Sequence, residues 1–128
     1  MAERSTAAGV TWVSDFFRDA DKLDLPLLMS WFGDSIELRI ANMPAVVGRA
    51  EVEKTFREFW SNLSGMSHSC EELMLNGDNA AQMAVVTYTR KDGKKVSMPV
   101  ASYIRKQPDG KFDRLWIYID INPLFAGN

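Results

Sequence analysis

The spacing of apolar and polar residues changes near the middle of the chain. Between residues 35 and 41 they alternate, which predicts a half-buried strand that ends at the Asn42-Met43-Pro44 turn. After Gly48 the apolar side chains recur every three or four residues as far as Leu63, which predicts an amphipathic helix. A strand, a turn and a helix in this order are expected to form one wall of an apolar pocket.

Two helices are predicted before this strand. The first covers about residues 11–22, and its acidic side chains, Asp21 among them, are expected to face water. The second is short, and Asp24 can cap its first turn. The buried stripe of the first helix comprises Val13, Phe16 or Phe17, Ala20 and Leu23.

Four long strands are predicted in the second half, over residues 66–75, 80–90, 96–106 and 112–121. The connections contain Asn76-Gly77, Asp92-Gly93 and Asp109-Gly110, which are strong hairpin signals. The strands should therefore form an antiparallel meander. Helices followed by such a sheet indicate an α+β fold, with N-terminal helices packed on a strongly curved, mainly antiparallel sheet.

Length and charge narrow the classes of function. The 128 residues suit one domain, with an ordered core expected over about residues 10–125. A formal net charge of −2 argues against a nucleic-acid partner, and no apolar run approaches the roughly twenty residues of a membrane span. The single cysteine, Cys70, and the lack of a hydrophobic signal segment predict a cytoplasmic location. One histidine and one cysteine cannot supply a metal set, so neither metal nor cofactor is expected.

The order of these elements, with the Asn42-Met43-Pro44 turn, Gly48-Arg49 and a closing segment YIDINPLF at residues 118–125, is similar to the nuclear transport factor 2 superfamily. Within that superfamily the chain most resembles the SnoaL-like proteins, from about Val10 to Phe125. The resemblance implies a cone-shaped domain around an apolar pocket, usually in a homodimer. Its members include polyketide cyclases, ketosteroid isomerase and limonene epoxide hydrolase, so the fold alone does not assign a function.

The catalytic residues of two of these relatives do not carry over. The aspartate, arginine and aspartate of limonene epoxide hydrolase would fall near Val85, Thr87 and Ile117, which cannot transfer a proton. The tyrosine of ketosteroid isomerase would fall on Phe16. The resemblance therefore implies the fold without either mechanism.

The side chains predicted to face the pocket are mostly apolar, as a site for a hydrophobic molecule requires. A plain hydrophobic core would show the same pattern. The predicted lining residues are Trp31, Ile40, Asn42, Phe56, Trp60, Val85, Thr87, Met98, Val100, Ile117 and Ile119, with Ser102 and Leu115 on the same faces.

Three polar residues are candidates for chemistry. His68, the only histidine, could act as a general base, or it could bond to backbone at a strand edge. Asp120 is the nearest match to the late aspartate that SnoaL-like cyclases use as acid or base, but alternation points it away from the pocket, which favours a structural role. Asn42 could orient a ligand oxygen or could cap the turn.

Two hypotheses follow. The chain is an enzyme that moves a proton on a small hydrophobic oxygenated molecule, as an isomerase, cyclase or dehydratase, or it is a non-catalytic module for ligand binding or dimerisation. An imidazole or carboxylate inside the cone would favour the enzyme. A wholly apolar cone would favour the module.

Overall fold

A seven-stranded sheet forms the framework of the protein, and the computed structural model describes residues 3–5 and 11–125. The strands are β1 (Glu3–Ser5), β2 (Phe32–Ile40), β3 (Val46–Val47), β4 (Leu63–Asn76), β5 (Asn79–Arg90), β6 (Lys95–Lys106) and β7 (Phe112–Ile119). The helices are α1 (Trp12–Ala20), α2 (Leu25–Met29), α3 (Arg49–Trp60) and α4 (Asn122–Phe125).

Neighbouring strands follow the order β1-β4-β5-β6-β7-β2-β3, and every pair is antiparallel except β2 with β7. Tight turns join β4 to β7, which confirms the four-stranded meander. Register shifts between Leu63 and Gly65 and between Cys70 and Glu72 interrupt the β4–β5 ladder. Such bulges bend and twist a sheet, and the result is a curled, open sheet of the predicted α+β class.

The helices begin where their capping residues predict. Thr11 caps α1 with Ser14 in a reciprocal capping box, and the Asp24 side chain accepts a hydrogen bond from the Leu27 amide at the start of α2. Gly48 precedes α3 with a φ of 96°, a conformation that favours glycine. The buried face of α3 comprises Val52, Phe56 and Trp60, as its period predicted.

Aromatic rings fill the core between α1 and the strands. Phe16, Phe32 and Phe112 are at most 1% exposed, and the Phe16 and Phe112 ring centroids lie 4.9 Å apart. Trp31 packs edge-on against Phe16 at 5.6 Å, and its indole donates a hydrogen bond to Asp19. This cluster fixes α1 against the sheet and so positions the residues at the end of α1.

On strand β5, the side chains that face the interior are the set predicted to face outward. On β5 the buried positions are Val86 and Tyr88, whereas Val85 and Thr87 lie on the outer face, where the Thr87 hydroxyl bonds to Ser97. The expectation that Val85 and Thr87 point inward is wrong, and Tyr88 occupies an inward position instead. Because β5 carries apolar side chains on both faces, its alternation does not distinguish them.

Candidate functional site: a histidine–aspartate pair at an internal cavity

A small cavity lies between the helices and the inner face of the sheet. Its volume is about 40 Å³. Apart from the Trp60 indole, its hydrogen-bonding side chains are those of His68, Tyr88 and Ser102. The lining residues are Phe16, Phe17, Ala20, Leu28, Ile40, Phe56, Phe59, Trp60, Met66, His68, Tyr88, Val100, Ser102, Leu115 and Ile117.

The structure brings some of the predicted site residues to this cavity and leaves others outside it. Trp31 and Met98 belong to the surrounding core, and Val85 and Thr87 are on the outer face. Of the predicted residues, those that line the cavity are Ile40, Phe56, Trp60, His68, Val100, Ser102, Leu115 and Ile117.

Asn42, Ile119 and Asp120 lie together in a separate surface cleft of about 320 Å³ at the ends of β2 and β7. Asp120 is exposed, and its carboxylate accepts a hydrogen bond of 3.0 Å from the Asn122 amide. This contact stabilises the turn into α4. Asn42 is also exposed, in the turn after β2.

His68 forms a close pair with Asp21, a contact that the sequence did not suggest. The imidazole Nδ1 lies 2.6 Å from one carboxylate oxygen of Asp21, and the backbone amide of His68 donates to the other at 3.0 Å. The His68 ring also packs on Phe17, with 4.8 Å between ring centroids. Only 11% of the His68 side chain is exposed.

The prediction that Asp21 faces water is wrong. Asp21 is the C-terminal cap of α1, and it turns its carboxylate onto β4. A signal was present, because Asp21 follows buried Phe17 by four residues and Ala20 by one, and so borders the buried stripe. The partner, 47 residues away in the chain, had no local signal.

The pairing defines the proton positions on the imidazole. A carboxylate only accepts hydrogen bonds, so Nδ1 carries the proton and donates it to Asp21. Within the described part of the chain, Nε2 has no hydrogen-bond partner. In the neutral form of the ring, the second nitrogen is then available to accept a proton from a molecule in the cavity.

Tyr88 places a hydroxyl group close to this pair. Its side chain lies on the same face of the sheet as His68, because His68 is in register with Val86 and Tyr88 lies two residues further on β5. Burial raises the pKa of the Tyr88 phenol well above its usual range, and the negative charge of Asp21 raises it further. The phenol is therefore protonated at neutral pH and can donate a hydrogen bond to a ligand oxygen.

The described residues offer no metal centre and no membrane helix. Among residues 3–5 and 11–125, no three His, Cys, Asp or Glu side chains are grouped closely enough to bind a metal ion. None of the helices described has the length and apolar character that crossing a bilayer requires.

The model of the SnoaL-like domain matches residues 13–115, which is most of the chain. The chain belongs to the SnoaL-like family. The matched segment contains Asp21, His68 and Tyr88, so the whole histidine–aspartate site lies inside the family domain. No curated protein matches this SnoaL-like chain at a significant level.

Solved structures share the fold of this SnoaL-like protein at low sequence identity. A nuclear transport factor 2-like protein of unknown function from Burkholderia pseudomallei is 14% identical, with a TM-score of 0.76, 89% of this chain and 95% of that chain covered. A protein with a ketosteroid isomerase-like fold from Catenulispora acidiphila, in complex with trimethylamine, is 13% identical, with a TM-score of 0.76. The match covers 93% of this chain and 90% of that chain. An epoxide hydrolase from M. tuberculosis, of the limonene epoxide hydrolase-like type, is 14% identical, with a TM-score of 0.72. The match covers 88% of this chain and 83% of that chain. At these identities the likeness shows the fold alone.

Proposed function

We propose that this SnoaL-like protein is an enzyme that moves a proton on a small hydrophobic molecule carrying an oxygen function. The observation that carries the proposal is the His68–Asp21 pair, whose imidazole lines a largely apolar cavity. A histidine held by a carboxylate has one nitrogen committed as a donor and the other available as a base. The apolar lining suits an isomerase, cyclase or dehydratase substrate.

The proposed step uses two groups of the protein. Nε2 of His68 takes a proton from the carbon next to a carbonyl group, so the C–H bond breaks and an N–H bond forms. The electron pair moves onto the carbonyl oxygen, which accepts a hydrogen bond from the Tyr88 hydroxyl. Asp21 stabilises the imidazolium that results, and His68 then returns the proton to the product.

The cavity must widen to admit such a molecule. Its volume of about 40 Å³ is enough for a few water molecules, whereas ligand pockets usually measure about 300–1,000 Å³. Phe59 and Met66 line the cavity and are also partly exposed, so they separate it from solvent. We place the entry route between them, at the junction of α3 and β4.

A proton-exchange experiment tests this proposal. Cyclohexenone in heavy water should exchange its α protons faster with the protein than with buffer, and proton NMR measures the loss of their signals. Exchange at the buffer rate, with ligand signals broadened by binding, would contradict catalysis and support the alternative of a binding module. Exchange at the buffer rate without broadening would contradict both.

That alternative rests on a specific observation. The small cavity volume and its largely apolar lining are also what a binding or dimerisation module of the same fold would show. The His68–Asp21 pair supports the enzyme over the module, because a module that only binds hydrophobic molecules has no need of an oriented base beside its pocket.

We further propose that the protein forms a homodimer through the outer face of the sheet. Val47 and Tyr118 on that face are 60% and 53% exposed. Trp116 lies on the same face, and its ring centroid is 5.3 Å from that of Tyr103. Trp116 is half-buried, with the guanidinium group of Arg39 over its ring. Aromatic and arginine side chains grouped in this way are enriched at interfaces.

Tyr118→Glu is expected to convert the dimer to a monomer, because the charge would be buried without a partner. Sedimentation velocity at micromolar concentration measures the change. Reversing the charge of Lys91 and Lys94 at the β5–β6 hairpin tip is the control and should leave the dimer intact. Wild-type protein that sediments only as a monomer at this concentration would contradict the dimer.

A further inference from the structure

Two buried polar side chains lie side by side on the inner face of the sheet, away from His68. Gln82 on β5 and Ser102 on β6 are directly opposite each other in register, and each is 4% exposed. Within the described part of the chain, neither side chain makes a hydrogen bond. Their polar atoms nevertheless border space that a water molecule can reach. Their unused hydrogen-bonding capacity, beside space of this kind, leaves room for a partner from outside the chain.

Ser102 lies at the end of the cavity opposite to the base, and Gln82 is its neighbour in register on β5. Ser102 lines the cavity together with His68. His68 is in register with Val86 and, through it, with Met98 on β6. Ser102 lies four residues beyond Met98, which is about 13 Å along the strand. The inward positions between the two ends are apolar.

We propose that Gln82 and Ser102 bind a second oxygen function of the substrate. The inference rests on the proposed function and defines its substrate class, an elongated apolar molecule with an oxygen group at each end. The hydroxyl and the amide can each donate and accept, so they suit a hydroxyl or a carbonyl group. A carboxylate or phosphate does not fit, because none of the residues that line the cavity is a lysine or an arginine.

A pair of matched probes tests the second oxygen site. A biphenyl with a hydroxyl group at each end should bind about fivefold to tenfold more tightly than a biphenyl with one hydroxyl, as one added hydrogen bond predicts. Calorimetric titration measures both. Ser102→Ala and Gln82→Leu should each reduce this ratio to about twofold or less. Ser97→Ala, on the outer face of the same strand, is the control and should keep the full ratio.

The outcomes separate this inference from the function on which it rests. Equal binding of the two probes to the wild-type protein would overturn the second oxygen site alone. If neither probe binds but cyclohexenone still exchanges its protons, only the second oxygen site is overturned. If neither probe binds and the exchange is also absent, both proposals are overturned.

A stability measurement provides a test that needs no ligand. A side chain kept for a substrate has no partner in the free protein, so Ser102→Ala should raise Tm by roughly 3 °C, whereas Ser97→Ala should not. Thermal unfolding followed by circular dichroism measures the shift. A Tm lowered by Ser102→Ala would show that the hydroxyl supports the fold, and would overturn the proposal.

Discussion

Replacing His68 with alanine is expected to lower the rate of α-proton exchange by about 10²- to 10⁴-fold, the usual contribution of a general base. Among the residues described, His68 is the only base that both lines the cavity and is oriented by a carboxylate. Exchange of cyclohexenone in heavy water measures the rate. His68→Gln retains more of the packing on Phe17 and should lose the rate to a similar extent.

Asp21→Asn should lower the same rate roughly 10²-fold or more, because the wrong tautomer is then favoured. An asparagine amide can donate to Nδ1, which would leave Nε2 protonated and unable to accept. Asp15→Asn is the matched control, since Asp15 lies on the same helix and pairs with Arg18 in solvent. An unchanged rate in Asp21→Asn, or an equal loss in Asp15→Asn, would contradict the role of the pair.

Phe112→Ala is expected to lower the free energy of unfolding by about 3–5 kcal/mol, the typical loss for a buried aromatic ring. The Phe112 side chain is fully buried, and its ring contacts those of Trp12, Phe16, Trp31 and Phe32. Because a domain is stable by only about 5–15 kcal/mol, this is a large part of the total. Urea unfolding should show a lower midpoint with an unchanged m-value.

Phe125→Ala is the matched control for this substitution. Phe125 is 50% exposed at the end of α4, so its loss should change the free energy of unfolding by no more than about 0.5 kcal/mol. Equal effects of the two substitutions would show that the aromatic cluster does not hold α1 against the sheet. In that case the position of Asp21 would need another explanation.

Most of the secondary structure could be predicted, because its signals are local. The helical spacing of Phe16, Val52 and Phe56 and the Gly77, Gly93 and Gly110 turns each depend on residues close together in the chain. Alternation correctly assigned the faces of β2, β6 and β7. The inward residues of these strands that border the cavity are Ile40, Val100, Ser102, Leu115 and Ile117. The predicted fold class followed from these elements.

The face of β5 could have been predicted from pairing instead of from alternation. Residues directly opposite each other in an antiparallel pair share a face. Met98 was correctly expected to point inward, and the β5–β6 register places it opposite Val86, not Val85. The hairpin register thus determines the inner face of a strand that is apolar on both sides, and it brings Tyr88 to the cavity.

The chain alone determined the main helices and the long strands, their order and the apolar character of the interior, because each depends on spacing within a few turns or strands. The short elements β1, β3 and α4 were not predicted. Only the tertiary structure joined Asp21 to His68, since the end of α1 meets β4 through packing between residues 47 positions apart. It also placed Asp120 on the surface and Gln82 beside Ser102 in the interior. Which polar groups meet depends on strand register and helix packing, and neither is encoded in local periodicity.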